Sequence, residues 1–170
     1  MEYQLLDEGF VYECPREGRR EVAVGPRLAL APNGDVVCTC MLQSALGVND
    51  FVPVISRSRD GGRTWEQQGP VWPHLARTES IFCSVSRAPN GDLFLFGKRW
   101  KIGQPGESFW SDATQGMKPN ELLWAKSADG GLTWTSPAAI GLSLHGSAEA
   151  PGAMCITRAG RWLACYGPYN

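Results

Sequence analysis

Apolar residues cluster along this chain in short runs separated by glycine, asparagine and aspartate, and none of these runs keeps a helical period over two turns. ALAPNGDVVCT (29–39) and SRAPNGDLFLF (86–96) each place apolar residues on both sides of an Asn-Gly pair, and ITRAGRWLACY (156–166) is a looser third copy with Ala159-Gly160 at its centre. Asn-Gly between apolar runs is a strong hairpin signal, and it predicts a tight turn with positive φ at both central positions. Each string therefore reads as strand, turn and strand. ELLWAKS (121–127) could pass for one amphipathic helical turn, but its place in the repeat makes it a strand.

A second string repeats between the hairpins. SRDGGRTW (58–65) returns as SADGGLTW (127–134), 69 residues later, with six of eight positions identical. Hairpin turns at Gly34, Gly91 and Gly160 thus alternate with the octets, and the second interval is longer by about twelve residues, a surplus that fits the segment KIGQPGESFWSDATQGMK (101–118), which reads as a long loop. The expected strands of the first unit are 23–31, 35–42, 51–58 and 63–68. Those of the second are 80–88, 92–99, 121–127 and 132–136, and the third supplies 152–158 and 161–166. Four-stranded antiparallel units repeated along a chain are the blades of a β-propeller. The expected organisation is one all-β domain over 1–170, with blade one at about 20–70, blade two at about 78–138 and the start of blade three at about 149–170. About two and a half such units are expected here, fewer than the roughly four to eight blades of a closed ring, so the rest of the ring is expected beyond Asn170.

Composition changes this picture little. Sixteen basic and 17 acidic residues are mixed along 170 positions for a net charge of −1, so there is no basic stripe to suit nucleic acid. No apolar run approaches the length of a membrane-spanning helix, and MEYQLLDEGFVY lacks the basic start and apolar centre of a signal peptide. Six cysteines without a CxxC pair argue against a zinc site and favour buried free thiols in a reducing compartment. No metal or cofactor is expected.

The octet is chemistry of a turn. Its aspartate can accept hydrogen bonds from the backbone just after it, its glycines permit positive φ, its Ser and Thr hydroxyls can tie the two sides, and its Trp can cover the loop. A catalytic aspartate would be needed once, whereas this one recurs, so Ser58, Asp60, Gly62, Thr64 and Trp65, with Ser127, Asp129, Gly131, Thr133 and Trp134, are expected to be structural. The two octets resemble the Asp-box, S-x-D-x-G-x-T-W, of the sialidase (neuraminidase) superfamily, whose propellers are six-bladed. The resemblance implies that these turns lie away from the active site.

In a propeller the ligand sits where the innermost strands begin. Glu79 and Glu149 take that place ahead of the second and third hairpins, with His74 and His145 a few residues upstream, so a His-Glu pair recurs as a candidate pocket rim. The family resemblance adds further candidates. It implies an acid/base at Asp50 in LGVNDFVPVISRSRDGG, and arginines that hold a sugar carboxylate at Arg27 in VGPRLAL and Arg99 closing GDLFLFGKR, since a guanidinium fork matches a carboxylate. The family's nucleophilic tyrosine, its glutamate and two further arginines come later in the chain, and neither Tyr166 nor Tyr169 is assigned that role.

Three readings stay open at this point. One is a sialidase-like hydrolase that removes a terminal sialic acid or related sugar from a glycoconjugate. Another is a carbohydrate-binding propeller without catalysis. The third is a neutral-sugar hydrolase on the same fold, using paired carboxylates such as Glu79 and Glu149. Fold alone does not decide between them.

Overall fold

The structure is a computed structural model that describes residues 3–5, 8–15, 18, 20–141, 147–149, 152 and 154–169. All regular elements among the described residues are strands. The first four, β1 (Val22–Leu30), β2 (Val36–Gln43), β3 (Val52–Ser58) and β4 (Glu66–Pro70), form an antiparallel sheet in chain order. The second sheet uses β5 (Glu79–Arg87) and β6 (Leu93–Lys101), leaves for a small hairpin of β7 (Trp110–Ser111) and β8 (Gly116–Met117), and returns with β9 (Glu121–Ser127) and β10 (Ala138–Ala139). Its order is again sequential from the inside, β5-β6-β9-β10. An interrupted hairpin follows, in which β11 (Ser147–Glu149) pairs with β14 (Gly167–Tyr169), and β12 (Cys155–Ile156) with β13 (Trp162–Leu163). Two full propeller blades and the first hairpin of a third account for the described chain.

The three hairpin turns share one geometry. The amide of Gly34 donates to the carbonyl of Ala31 at 3.0 Å, that of Gly91 to Ala88 at 3.0 Å, and that of Gly160 to Thr157 at 2.9 Å. The glycines alone have positive φ (90°, 92° and 74°), while Asn33 and Asn90 do not. The expectation of positive φ at both positions is therefore corrected: these are type I turns closed by a glycine bulge. Pro32 and Pro89 explain the choice, because proline fixes the first central residue at φ near −65°.

Alternation along β6 builds the core. Leu93 and Leu95 turn toward the first blade and join Val37, Ile55, Ile81, Val85 and Leu123 in one buried cluster. Phe94 and Phe96 turn the other way and meet Leu122, Ala148 and Met154. Fully burying one such side chain stabilises the fold by about 1.5–3 kcal/mol. Among the described residues one hairpin covers this second junction, and between Phe96, Trp124, Ile140, Met154, Trp162 and Tyr166 lies an apolar cleft of about 510 Å³.

Two expectations about strands are corrected. The fourth strand of the second blade is β10 at 138–139 rather than 132–136. There the Thr135 hydroxyl accepts from the Lys126 amide at 3.0 Å where a backbone carbonyl would, and Pro137 has no amide to donate, so pairing resumes only at Ala138. Among the described residues the third hairpin pairs at Cys155–Ile156 with Trp162–Leu163 and at Ser147–Glu149 with Gly167–Tyr169, where 152–158 and 161–166 were expected. The six cysteines are free thiols; Cys38, Cys40 and Cys83 are buried, whereas Cys155 and Cys165 are exposed.

Candidate functional site

The two ends of the blades differ in chemistry. At one end lie the hairpin turns and the turns of both repeated octets. The Ser58 hydroxyl donates to Asp60 at 2.8 Å and accepts the Gly62 amide at 2.8 Å, and the Asp60 carboxylate takes the Thr64 amide at 2.9 Å and hydroxyl at 2.6 Å. Ser127, Asp129, Gly131 and Thr133 repeat the arrangement, with Ser127 to Asp129 at 2.7 Å, Gly131 to Ser127 at 2.7 Å and the Thr133 hydroxyl to Asp129 at 2.5 Å. The Thr64 and Ser58 hydrogen bonds hold the Asp60 carboxyl well below its usual range. Burial pushes the Asp129 carboxyl up, but the Thr133 and Ser127 bonds outweigh it and leave it at about 2. The tryptophans differ: Trp65 donates to the Gly62 carbonyl at 3.0 Å, whereas Trp134 turns inward against the core and its indole N–H is buried without a partner.

The opposite end, where β1 and β5 begin, forms a rim of charged and aromatic side chains. Glu79 opens β5 and is buried, with Oε2 3.1 Å from Arg99 and Oε1 2.5 Å from Lys101. Burial pushes its carboxyl up, yet Lys101 and Arg99 more than offset this and hold it below the usual range. Arg99 in turn bonds Glu121 through Nε at 2.6 Å. Antiparallel register explains the cluster: Glu79 lies opposite Lys101, and Arg99 opposite Glu121. Glu79 and Arg99 were both expected at the rim; Lys101 and Glu121 were missed, although pairing the ends of the repeat would have found them.

Glu149, on β11, reaches back to Lys98 at 2.6 Å. Lys98 is itself buried, close to the Phe82 and Trp100 rings (5.6 and 5.4 Å to the centroids) and 3.4 Å from the Met117 sulfur. Burial lowers the pKa of its amine and Glu149 restores part of the shift. A lysine on the same face as Phe94 and Phe96 was the available sequence signal.

Asp50 is placed in the loop between β2 and β3. Its carboxylate accepts the Ser44 amide at 3.1 Å and pairs with Arg20 at 3.3 Å, and Arg20 also donates to the Asp50 carbonyl. Arg20 comes from the segment before β1, a partner without any spacing signal. Phe51 follows Asp50 and stacks within 5.3–6.0 Å of Phe82, Trp100 and Phe109, so the loop packs on an aromatic wall contributed by the second blade.

The other candidates stand apart. Arg27 is exposed on β1, past the register shift at Gly25, and its guanidinium donates to its neighbour Pro26 at 2.8 Å. His74 is exposed in the connection from β4 to β5, outside the Glu79 network. A full turn of chain, closed by the Thr78 and Glu79 amides on the Leu75 carbonyl, separates His74 from Glu79. His145 lies outside the described residues. Among the described residues no group of three His, Cys, Asp or Glu side chains is gathered as a metal site would need.

No protein-family model and no curated protein matches the chain. Solved structures do. The Hadza microbial sialidase Hz136 is similar over 84% of this chain and 33% of its own, with a TM-score of 0.65 and 21% identity. A Dyadobacter fermentans protein of unknown function matches over 82% of this chain and 32% of its own (TM-score 0.57, 22% identity). The Penicillium chrysogenum α-L-arabinanase, solved with arabinobiose, matches over 85% and 40% (TM-score 0.54, 18% identity). The chain thus spans about a third of the length of the first two, and what it has in common with them is the fold: antiparallel four-stranded blades of a β-propeller, in a set of neighbours that includes two glycosidases.

Proposed function

We propose that the protein is a sialidase-like exo-glycosidase acting on a terminal sialic acid or related acidic sugar of a glycoconjugate. The observation that carries this reading is the separation of chemistry between the two ends of the blades. Structural turns occupy one end, while Asp50, Glu79, Arg99 and the Phe51–Trp100–Phe109 wall occupy the other. In this reading Asp50 is the acid/base that protonates the departing oxygen, and the buried aromatics beneath it hold its loop in place. Arg99 supplies the guanidinium for the sugar carboxylate, with Glu79 and Glu121 fixing the direction of its fork. Glycosidases that use a tyrosine nucleophile avoid placing a carboxylate against an anionic substrate.

A second reading has an observation of its own. Arg99 already contacts two carboxylates, Glu79 and Glu121, which favours a neutral sugar over an anionic one. A neutral-sugar hydrolase would use Glu79 and Glu149 as its carboxylate pair.

The deciding experiment compares hydrolysis of a fluorogenic α-sialoside with that of neutral arabinosides and galactosides, for the protein and for Asp50→Asn. Sialoside turnover that Asp50→Asn abolishes supports the first reading. Turnover of a neutral glycoside alone moves the assignment to the second, and sugar binding without turnover of any substrate makes the protein a lectin-like propeller.

A further inference from the structure

The residue before Asp50 faces the other blade. Asn49 is buried, its amide donates to the Glu107 carbonyl at 2.7 Å, and its side-chain nitrogen donates to the Lys101 carbonyl at 3.0 Å and to Glu107 Oε1 at 3.1 Å. The Glu107 carboxylate also takes the Gly103 amide at 2.6 Å and the Lys118 amine at 3.1 Å. One carboxylate therefore joins three segments: the exit from β6, the exit from β8 and the Asp50 loop of the first blade. The contact is extended by a bridge between Val48 and Ser108 and by the Phe109 ring, 5.3 Å from that of Phe51. Within its own loop, Asp50 closes the turn by accepting the Ser44 amide. The loop is thus closed on itself by Asp50 and fastened to the second blade by Asn49.

We propose that Glu107 and Asn49 are positioning residues, through which the segment 102–120 of the second blade sets where Asp50 stands relative to the rim. This rests on the reading of Asp50 as the acid. The segment is the part by which the second repeat exceeds the first, so its presence has a purpose in this arrangement: the first blade presents the acid and the second blade aims it. Misplacing a reacting group by about 1 Å can slow a reaction about 100-fold.

Two measurements on Glu107→Ala test this and fail independently. Native-state hydrogen exchange reads the clamp. The amides of 44–51 should exchange at least ten times faster, those of β5 and β6 at the parent rate, and Glu107→Gln, which keeps an acceptor for Asn49 and Gly103, should retain most of the protection. Unchanged exchange at 44–51, or equal acceleration everywhere, overturns the proposal. Hydrolysis reads the consequence. With a poor leaving group, Glu107→Ala should lose roughly 10- to 100-fold in kcat with little change in KM, lose far less with an activated leaving group, and add nothing in an Asp50→Asn background. A loss that adds fully to that of Asp50→Asn overturns the positioning role. Full activity of Asp50→Asn, or no hydrolysis by the parent, overturns the acid assignment and the positioning role with it, and the exchange data then report the clamp alone.

Discussion

Lys98 and Glu149 close a 2.6 Å ion pair across the junction between the second blade and the hairpin that follows it. The two ends of this pair are in unlike surroundings: the lysine side chain is 4% exposed and the glutamate 41%. Removing either partner should therefore have unequal effects. Lys98 follows Gly91 by seven residues, as Met41 follows Gly34, so Lys98→Met restores the residue that the first blade carries at this position. That change leaves Glu149 free to reach water and should be neutral or stabilising, by up to about 2 kcal/mol. Glu149→Ala leaves a buried amine without its carboxylate and should destabilise by about 3–5 kcal/mol. Urea unfolding of the two variants checks the order, and equal losses would contradict it.

A comparable asymmetry separates Arg57 from Lys126. Each precedes the serine of a repeated octet and pairs with the aspartate of its own hairpin turn, Arg57 with Asp35 at 3.0 Å and Lys126 with Asp92 at 2.6 Å. Arg57 is buried and also donates to the Gly130 carbonyl at 2.7 Å, which ties the first blade to the octet turn of the second. Lys126 is 39% exposed. Arg57→Ala should cost about 3–5 kcal/mol, because Asp35 and the Gly130 carbonyl lose their partner, whereas Lys126→Ala should cost under about 1 kcal/mol. Denaturant midpoints at unchanged m-value would show it.

The same contact ranks the two octet turns. A Cβ on Gly131 would stand 3.2 Å from Leu93 and 3.4 Å from Val37, so the second turn is packed into the junction, while one on Gly62 would meet only Trp65 of its own turn, at 3.9 Å. Asp129→Ala should thus lower the melting temperature more than Asp60→Ala. Both variants should leave the folded fraction with the activity of the parent, since neither turn is at the rim. A stable but inactive Asp60→Ala would assign that aspartate a role in the reaction.

Much of this architecture was legible because it is local and repeated. The octets and hairpin turns announce their own geometry, and alternation along LFLFGKRW places Phe94, Phe96 and Lys98 on one face. The fourth strand of the second blade was not legible: the Thr135 amide donates to the Lys126 carbonyl while the Thr135 hydroxyl, not a backbone carbonyl, takes the Lys126 amide, and the pattern of apolar residues does not encode that exchange of acceptors. The type I turns could have been read from Pro32 and Pro89, had proline been weighed ahead of Asn-Gly. At the rim, Glu79 emerged from the repeat and Arg99 from the family resemblance of GDLFLFGKR. Arg20 beside Asp50, and Glu107 beside Asn49, join segments 30 and 58 residues apart through contacts that no periodicity predicts.

Acid and alkali should destabilise the fold for opposite reasons. Glu107 is held at about 2 by the Gly103 amide, Asn49 and Lys118, against an ordinary value of 4.5, and Asp129 is held at about 2 against 3.8. The unfolded chain takes up protons at these groups first, so their contribution is complete above about pH 5 and fades as the pH falls through 4 toward 2. Asp35, Asp92 and Glu79 are lowered as well, so the acid limb is shared and no single variant can remove it. Glu107→Gln should nonetheless flatten the fall in melting temperature between pH 5 and 2.5. In the alkaline range the sign reverses. Burial pushes the Cys38 thiol up to about 11 and those of Cys40 and Cys83 to about 12, from an ordinary 9.0. The unfolded chain then loses protons first, and the stability held below pH 9 is lost as the pH rises through 9 toward 11. Cys40→Val, which keeps an apolar side chain in the cluster with Leu42, Val52 and Val54, should reduce the alkaline slope and leave the acid limb unchanged. An alkaline slope identical to the parent's would show that these thiols do not govern it.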